Sequence, residues 1–286
     1  LQDAIVARYR SEYDVEIERE QVFLTCGASP GLVAALAAYF KAGDKIAFAR
    51  PGYVAYRNVA AGLNLTPVEL PCGPATRYQL SADMIRGLPD DVRGVLISSP
   101  ANPTGSVISP EELRALIEAC NARNIRVISD EIYHGLSYET RTASALEFDK
   151  TALVVSSFSK YFCMPGWRLG WMVTPPADID RLDAYCGNFF LTPPAISQHV
   201  ALAAMKETAE LDAHLEVYRR SREKLLAALP EMGLGTFAPP DGAFYFYMDV
   251  SHLTDDSEAL AWRILEEAGV ALAPGTDFDP VDGKRF

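Results

Sequence analysis

The chain has 286 residues, 49% of them hydrophobic and 22% charged, with a net charge of −12. That length holds one large domain and a smaller one, and the acidic balance argues against a nucleic-acid surface. No apolar run reaches the ~20 residues needed to span a bilayer, so no membrane partner is expected. No basic-then-apolar leader follows Leu1, so no targeting segment is expected either. The five cysteines, Cys26, Cys72, Cys120, Cys163 and Cys186, are odd in number, widely spaced and without a CxxC. They predict neither a disulfide framework nor a zinc site, and reduced thiols fit a cytoplasmic protein.

In chain order, Leu1 to Tyr13 predicts an amphipathic helix with Ile5, Tyr9 and Tyr13 on one face. Val22 to Cys26 reads as a short strand. Gly27-Ala28-Ser29-Pro30-Gly31 then turns into a helix over Leu32 to Phe40. Lys45 to Ala49 is a strand before Arg50-Pro51-Gly52-Tyr53 and a second helix, and Asn64 to Leu70 is another strand. Val92 to Ser98 is a strand that ends in Ser99-Pro100-Ala101-Asn102-Pro103-Thr104-Gly105. Ser109, Pro110 and Glu112 announce the next helix through a capping box, with Leu113, Leu116, Ile117 and Cys120 as its apolar face. Ile125 to Ser129 is a strand delivering Asp130-Glu131-Ile132-Tyr133, and Ala152 to Val155 is a buried strand before Ser156-Ser157-Phe158-Ser159-Lys160.

Strands alternating with helices at this pace predict an α/β fold: a three-layer large domain with a mostly parallel sheet. Helices dominate from Ala177 to about Leu229. A smaller α+β unit follows, with an aromatic strand at Ala243 to Met248, a helix at Ser257 to Ala268, a short strand at Val270 to Leu272, and Phe286 in mid-strand. The boundary is placed near residue 210, giving a domain of residues 1–210 and a smaller one of 211–286.

Ligands of open parallel sheets bind beyond the carboxyl ends of the strands, and the distinctive residues here cluster at those ends. Gly27, Ala28 and Ser29 lie between a strand and a helix start, where free N–H groups and the helix dipole suit an anion, although an ordinary tight turn fits the same residues. Neither GxGxxG nor GxxxxGK occurs, so dinucleotide and nucleoside triphosphate binding are unsupported. Asn102, held between Pro100 and Pro103, is either a simple turn or an amide aimed at a ligand. Asp130 lies at the buried sheet edge, where a carboxylate needs a cation or hydrogen-bond donors, or caps the next turn. Tyr133 is a second donor or plain core. Lys160 is either a solvated lysine of a polar loop or an amine that burial would make nucleophilic. Arg168 is a planar partner suited to phosphate, with the Ser157 hydroxyl close by. An amine, an anion cradle, a carboxylate and two donors for a phenol oxygen together suit a phosphorylated aromatic aldehyde, pyridoxal 5'-phosphate (PLP).

These residues, with Pro51-Gly52-Tyr53, Asn102-Pro103-Thr104-Gly105, Asp130-Glu131-Ile132-Tyr133 and Gly166-Trp167-Arg168-Leu169-Gly170, resemble the class I/II aminotransferases of PLP fold type I over nearly the whole chain. The resemblance implies a cytoplasmic homodimer with sites near the subunit interface, acting on an amino acid and a 2-oxo acid in two half-reactions. It assigns the Schiff base to Lys160, the pyridinium partner to Asp130, the O3′ donors to Asn102 and Tyr133, and ring stacking to Tyr53. Gly27, Ala28, Ser29, Ser157 and Arg168 would hold the phosphate. It also predicts a cis Asn102–Pro103 bond and a chain incomplete at both ends, with the arginine for the substrate α-carboxylate lying beyond Phe286. No arginine stands at Thr192-Pro193-Pro194, which weakens an acidic-substrate preference. Two alternatives stay open: a lyase of the same fold, such as a carbon–sulfur β-lyase, and a PLP-binding regulator domain without turnover.

Overall fold

A computed structural model describes residues 1–286. The first helix, α1 (Gln2–Tyr13), buries Ile5, Tyr9 and Tyr13 as its periodicity predicts. Strands β1 (Val22–Thr25), β2 (Lys45–Arg50), β3 (Thr66–Pro71), β4 (Val92–Ser98), β5 (Arg126–Asp130), β6 (Leu153–Ser157) and β7 (Gly170–Val173) form one sheet in the order β1-β7-β6-β5-β4-β2-β3. Between them run α2 (Ala28–Tyr39), α3 (Val54–Gly62), α4 (Ala82–Arg86) and α5 (Pro110–Ala122).

The sheet is parallel from β3 to β6, and β7 alone runs against its neighbours. Because β1 pairs antiparallel with β7, β1 points the same way as the parallel strands. The carboxyl ends of β1, β4, β5 and β6 therefore meet at one edge, and Gly170, paired with both Thr25 and Ser157, begins β7 there.

Alternation along the strands builds two cores. Val95, Ile97, Val127, Val154, Trp171 and Val173 face α1 and α5, while Leu96, Ile128, Leu153, Val155 and Met172 face α2 and α3. Successive strand residues point to opposite faces, so strands apolar on both faces must be covered twice, which makes three layers. The capping box of α5 forms as expected: Glu112 N–H donates to Ser109 Oγ at 3.2 Å, and Glu112 Oε2 accepts from Ser109 N–H at 3.1 Å.

One helix start differs from expectation. α2 opens at Ala28 rather than Leu32, with Gly27 as its N-cap. Pro30 fits that first turn, where its missing N–H would have had no helical partner.

After β7 come α6 (Ile179–Phe189), α7 (Ala195–Ala204), α8 (Thr208–Glu231) and α9 (Ser257–Ala268), the last capped by Asp256 and closed by Gly269 at φ 68°. The strands expected at Ala243 to Met248 and Val270 to Leu272 do not form. The aromatic segment makes only an isolated bridge between Phe237 and Met248, and its backbone groups bond singly, as Ala243 N–H does to Leu136 C=O at 2.7 Å. Phe286 likewise follows a 3₁₀ turn and stacks on Tyr247 at 4.5 Å. No helix is long and apolar enough to cross a membrane.

Candidate active site

Beyond the strand ends, Ala28, Ser29, Tyr53, Asn102, Asp130, Tyr133 and Lys160 line one pocket together with Leu32, Tyr56 and Ile132. Each side chain arrives from a separate element: Ala28 and Ser29 from the first turn of α2, Tyr53 from the cap of α3, Asp130 from the last position of β5, and Lys160 from the turn after β6. The Asn102–Pro103 bond is cis, as are Arg50–Pro51 and Ser99–Pro100.

Asp130 is buried, and Tyr56 donates to its Oδ2 at 2.7 Å while the Ile132 N–H donates to Oδ1 at 3.2 Å. Burial pushes its carboxyl above the usual range, opposed by those two donors and by the charge of Lys160. Lys160 is half-buried. Its Nζ lies 5.5 Å from the Tyr133 ring centroid and 5.4 Å from that of Phe244. Desolvation lowers its pKa, with Asp130 pulling the other way. For both groups burial outweighs their mutual attraction, which leaves the amine easier to deprotonate and the carboxylate short of a cation.

Gly27, Ser157 and Arg168 are not among the residues lining this pocket. Gly27 has φ 105°, and a Cβ there would come within 2.7 Å of Arg168 Nη2, so only glycine lets the guanidinium lie against the start of α2. Arg168 is exposed, and its Nη1 donates to Pro165 C=O at 2.8 Å. Ser157 Oγ accepts from the Ser159 N–H at 2.8 Å, and the residue also borders a small cavity with Glu131 and His134.

Tyr56 escaped the sequence reading, although its spacing of three from Tyr53 at a helix start was a signal that the two share a side. Their rings meet edge to face at 5.5 Å. Tyr245, whose hydroxyl bonds that of Tyr133, had no such signal, being 112 residues away.

A family model, Aminotransferase class I and II, matches residues 1–283. The chain belongs to this family. It is 46% identical to a valine–pyruvate aminotransferase of Mycobacterium tuberculosis, covering 100% of this chain and 75% of that protein. Among solved structures, an aminotransferase from Mycobacterium tuberculosis superposes with a TM-score of 0.98 at 46% identity, over 100% of this chain and 75% of the other. A mutant aspartate aminotransferase of Thermus thermophilus gives a TM-score of 0.90 at 31% identity, over 97% and 77%.

The protein is thus a PLP-dependent aminotransferase, and the lyase alternative is not favoured, since these relatives are aminotransferases along essentially the whole chain. The pocket of this aminotransferase suits the cofactor on its own chemistry. Asp130 is a buried carboxylate that a pyridinium N–H would complement.

Proposed function

We propose that Lys160 is the residue that bonds covalently to PLP, and that the pocket transfers the amino group of an aliphatic L-amino acid to a small 2-oxo acid, with valine and pyruvate the first pair to test. The observation that carries this reading is the half-buried Lys160 amine, lowered by desolvation, in one pocket with Asp130 and Asn102. The substrate pair is taken from the 46% identical relative, and the Phe244 ring 5.4 Å from the Lys160 amine, with Leu32 and Ile132 in the pocket lining, agrees with an uncharged side chain.

When bound, PLP supplies an electron sink for the carbanion formed at the substrate Cα. The residues do the rest. Asp130, held by Tyr56 and the Ile132 N–H, keeps a negative charge against the ring nitrogen. Asn102 and Tyr133 orient the ring through its O3′, and Tyr53 covers a ring face. Gly27, Ala28, Ser29, Ser157 and Arg168 receive the phosphate at the start of α2, where unpaired N–H groups and the helix dipole favour an anion. Lys160, its Nζ made easier to deprotonate by desolvation, would accept the substrate Cα proton and hold it for return on the far side of the substrate nitrogen.

We further propose a cytoplasmic homodimer, in keeping with five free thiols, and a smaller domain over residues 211–286 beginning within α8. Sedimentation should then give twice the chain mass. For the site, purified protein with PLP should show a near-visible band that Lys160→Ala abolishes, and borohydride reduction should label Lys160 in the peptide map. Labelling of another lysine overturns the assignment.

A further inference from the structure

The segment 241–245 is laced onto both loops that carry the proposed O3′ donors. Gly242 N–H donates to Gly105 C=O at 2.8 Å, on the Asn102 loop, and Ala243 N–H donates to Leu136 C=O at 2.7 Å, on the Tyr133 turn. The Tyr138 hydroxyl closes the lacing on Ala243 C=O at 2.6 Å. Contact is tight enough that a Cβ on Gly242 would lie 2.7 Å from Pro100 Cγ and 2.8 Å from Leu136 O. Ala243 is fully buried in the left-handed region at φ 53°, a conformation an alanine keeps only where its surroundings hold it. Beyond that bend Tyr245 sets its ring edge to face against Tyr133, with centroids 5.7 Å apart, and the two hydroxyls are hydrogen-bonded.

A phenol has one proton to give and lone pairs to receive. If Tyr133 spends its proton on the cofactor's O3′, only its lone pairs remain for Tyr245. We propose that Tyr245 is a positioning residue for the transamination, donating to the Tyr133 oxygen so that the Tyr133 proton is aimed at the cofactor ring oxygen and strengthened as a donor. This rests on the assignment of Tyr133 to O3′ given above. Donation into a donor polarises it, as in any hydrogen-bond chain, and a stronger donor to O3′ makes the Lys160–cofactor linkage less basic. Burial holds both phenols in the protonated form at neutral pH. The other titratable groups facing the pair are Asp130, Tyr53, Tyr56 and Lys160.

The experiment is a pH titration of the near-visible band of the holoenzyme in Tyr245→Phe, Tyr133→Phe and the double variant. Phenylalanine keeps the ring contact and removes only the oxygen. Tyr245→Phe should raise the titration midpoint by about half to one pH unit, the weight of one neutral hydrogen bond. Tyr133→Phe should raise it further, and the double variant should match Tyr133→Phe alone, because Tyr245 acts only through that oxygen. A midpoint unmoved in Tyr245→Phe but moved in Tyr133→Phe overturns the inference and leaves the Tyr133 assignment standing. A midpoint unmoved in both overturns that assignment as well. A double variant displaced by the full sum of the singles shows Tyr245 acting independently and also overturns it.

Discussion

Tyr56→Phe isolates one interaction at the centre of the site. The tyrosine hydroxyl donates to Asp130 Oδ2 at 2.7 Å with both groups buried, while its ring packs edge to face on Phe48 at 6.1 Å and on Tyr53 at 5.5 Å. Phenylalanine retains the packing and removes one charge-assisted hydrogen bond. Such a bond contributes about 1.5–3 kcal/mol to the ionised carboxylate, which corresponds to about one to two pKa units. Asp130 is already pushed up by burial, and Tyr56 is the first of the contacts opposing that push. The variant's carboxyl should therefore titrate about one to two units higher.

The sign follows from proton linkage. A raised folded-state pKa means that the folded protein keeps a proton the unfolded chain has released, so stability declines as pH rises through that window. Without PLP, Tyr56→Phe should match the parent in acid and fall below it by about 1.5–3 kcal/mol once Asp130 is ionised in both. On the proposed pairing of Asp130 with the pyridinium, which needs the ionised carboxylate, the pH below which PLP affinity collapses should move up by about one to two units. PLP titrations of the cofactor-free protein between about pH 5 and 9, read at the near-visible band, measure that midpoint. A midpoint within experimental error of the parent's would refute the role of Tyr56 as the carboxylate's support.

Two further perturbations test other parts of the site. Gly27→Ala puts a Cβ 2.7 Å from Arg168 Nη2 at φ 105°, so Arg168 must leave the start of α2. PLP and inorganic phosphate should both bind at least about ten-fold more weakly, a loss of about 1.4 kcal/mol, and unchanged phosphate affinity would take Gly27 and Arg168 out of the anion cradle. Behind the site, burial raises the Glu131 carboxyl from 4.5 to about 8 and lowers His134 from 6.5 to about 3. Glu131 should therefore cost stability as pH rises from 4.5 to about 8, and His134 as pH falls from 6.5 to about 3. Denaturant unfolding of Glu131→Gln across that range should show a shallower decline with rising pH, the remainder coming from Asp130, and a decline as steep as the parent's would place its cause elsewhere.

Much of this protein is written locally. The capping box of α5, the buried faces of α1 and α5, and the apolar β5 and β6 depend on near neighbours and on the two periodicities of helix and strand, so they can be read from the chain. Lys160, Asp130 and Asn102 could be singled out because Asp130 ends a strand and the other two lie in the loops just beyond strand ends, and a parallel sheet brings those ends to one edge. The aromatic run at Ala243 to Met248 looks like a strand by composition, yet a strand exists only with a partner. This one finds a single bridge, while its first residue gives its N–H to the Tyr133 turn. The hydrogen bonds of Asp130 with Tyr56 and of Tyr133 with Tyr245 join residues 74 and 112 positions apart. Sequence alone therefore determined the fold class and the chemical kind of each group at the sheet edge. Tertiary structure decided which hydroxyl bonds Asp130 and which bonds Tyr133, because a hydrogen bond depends on distances of a few ångströms between elements that local patterning does not encode.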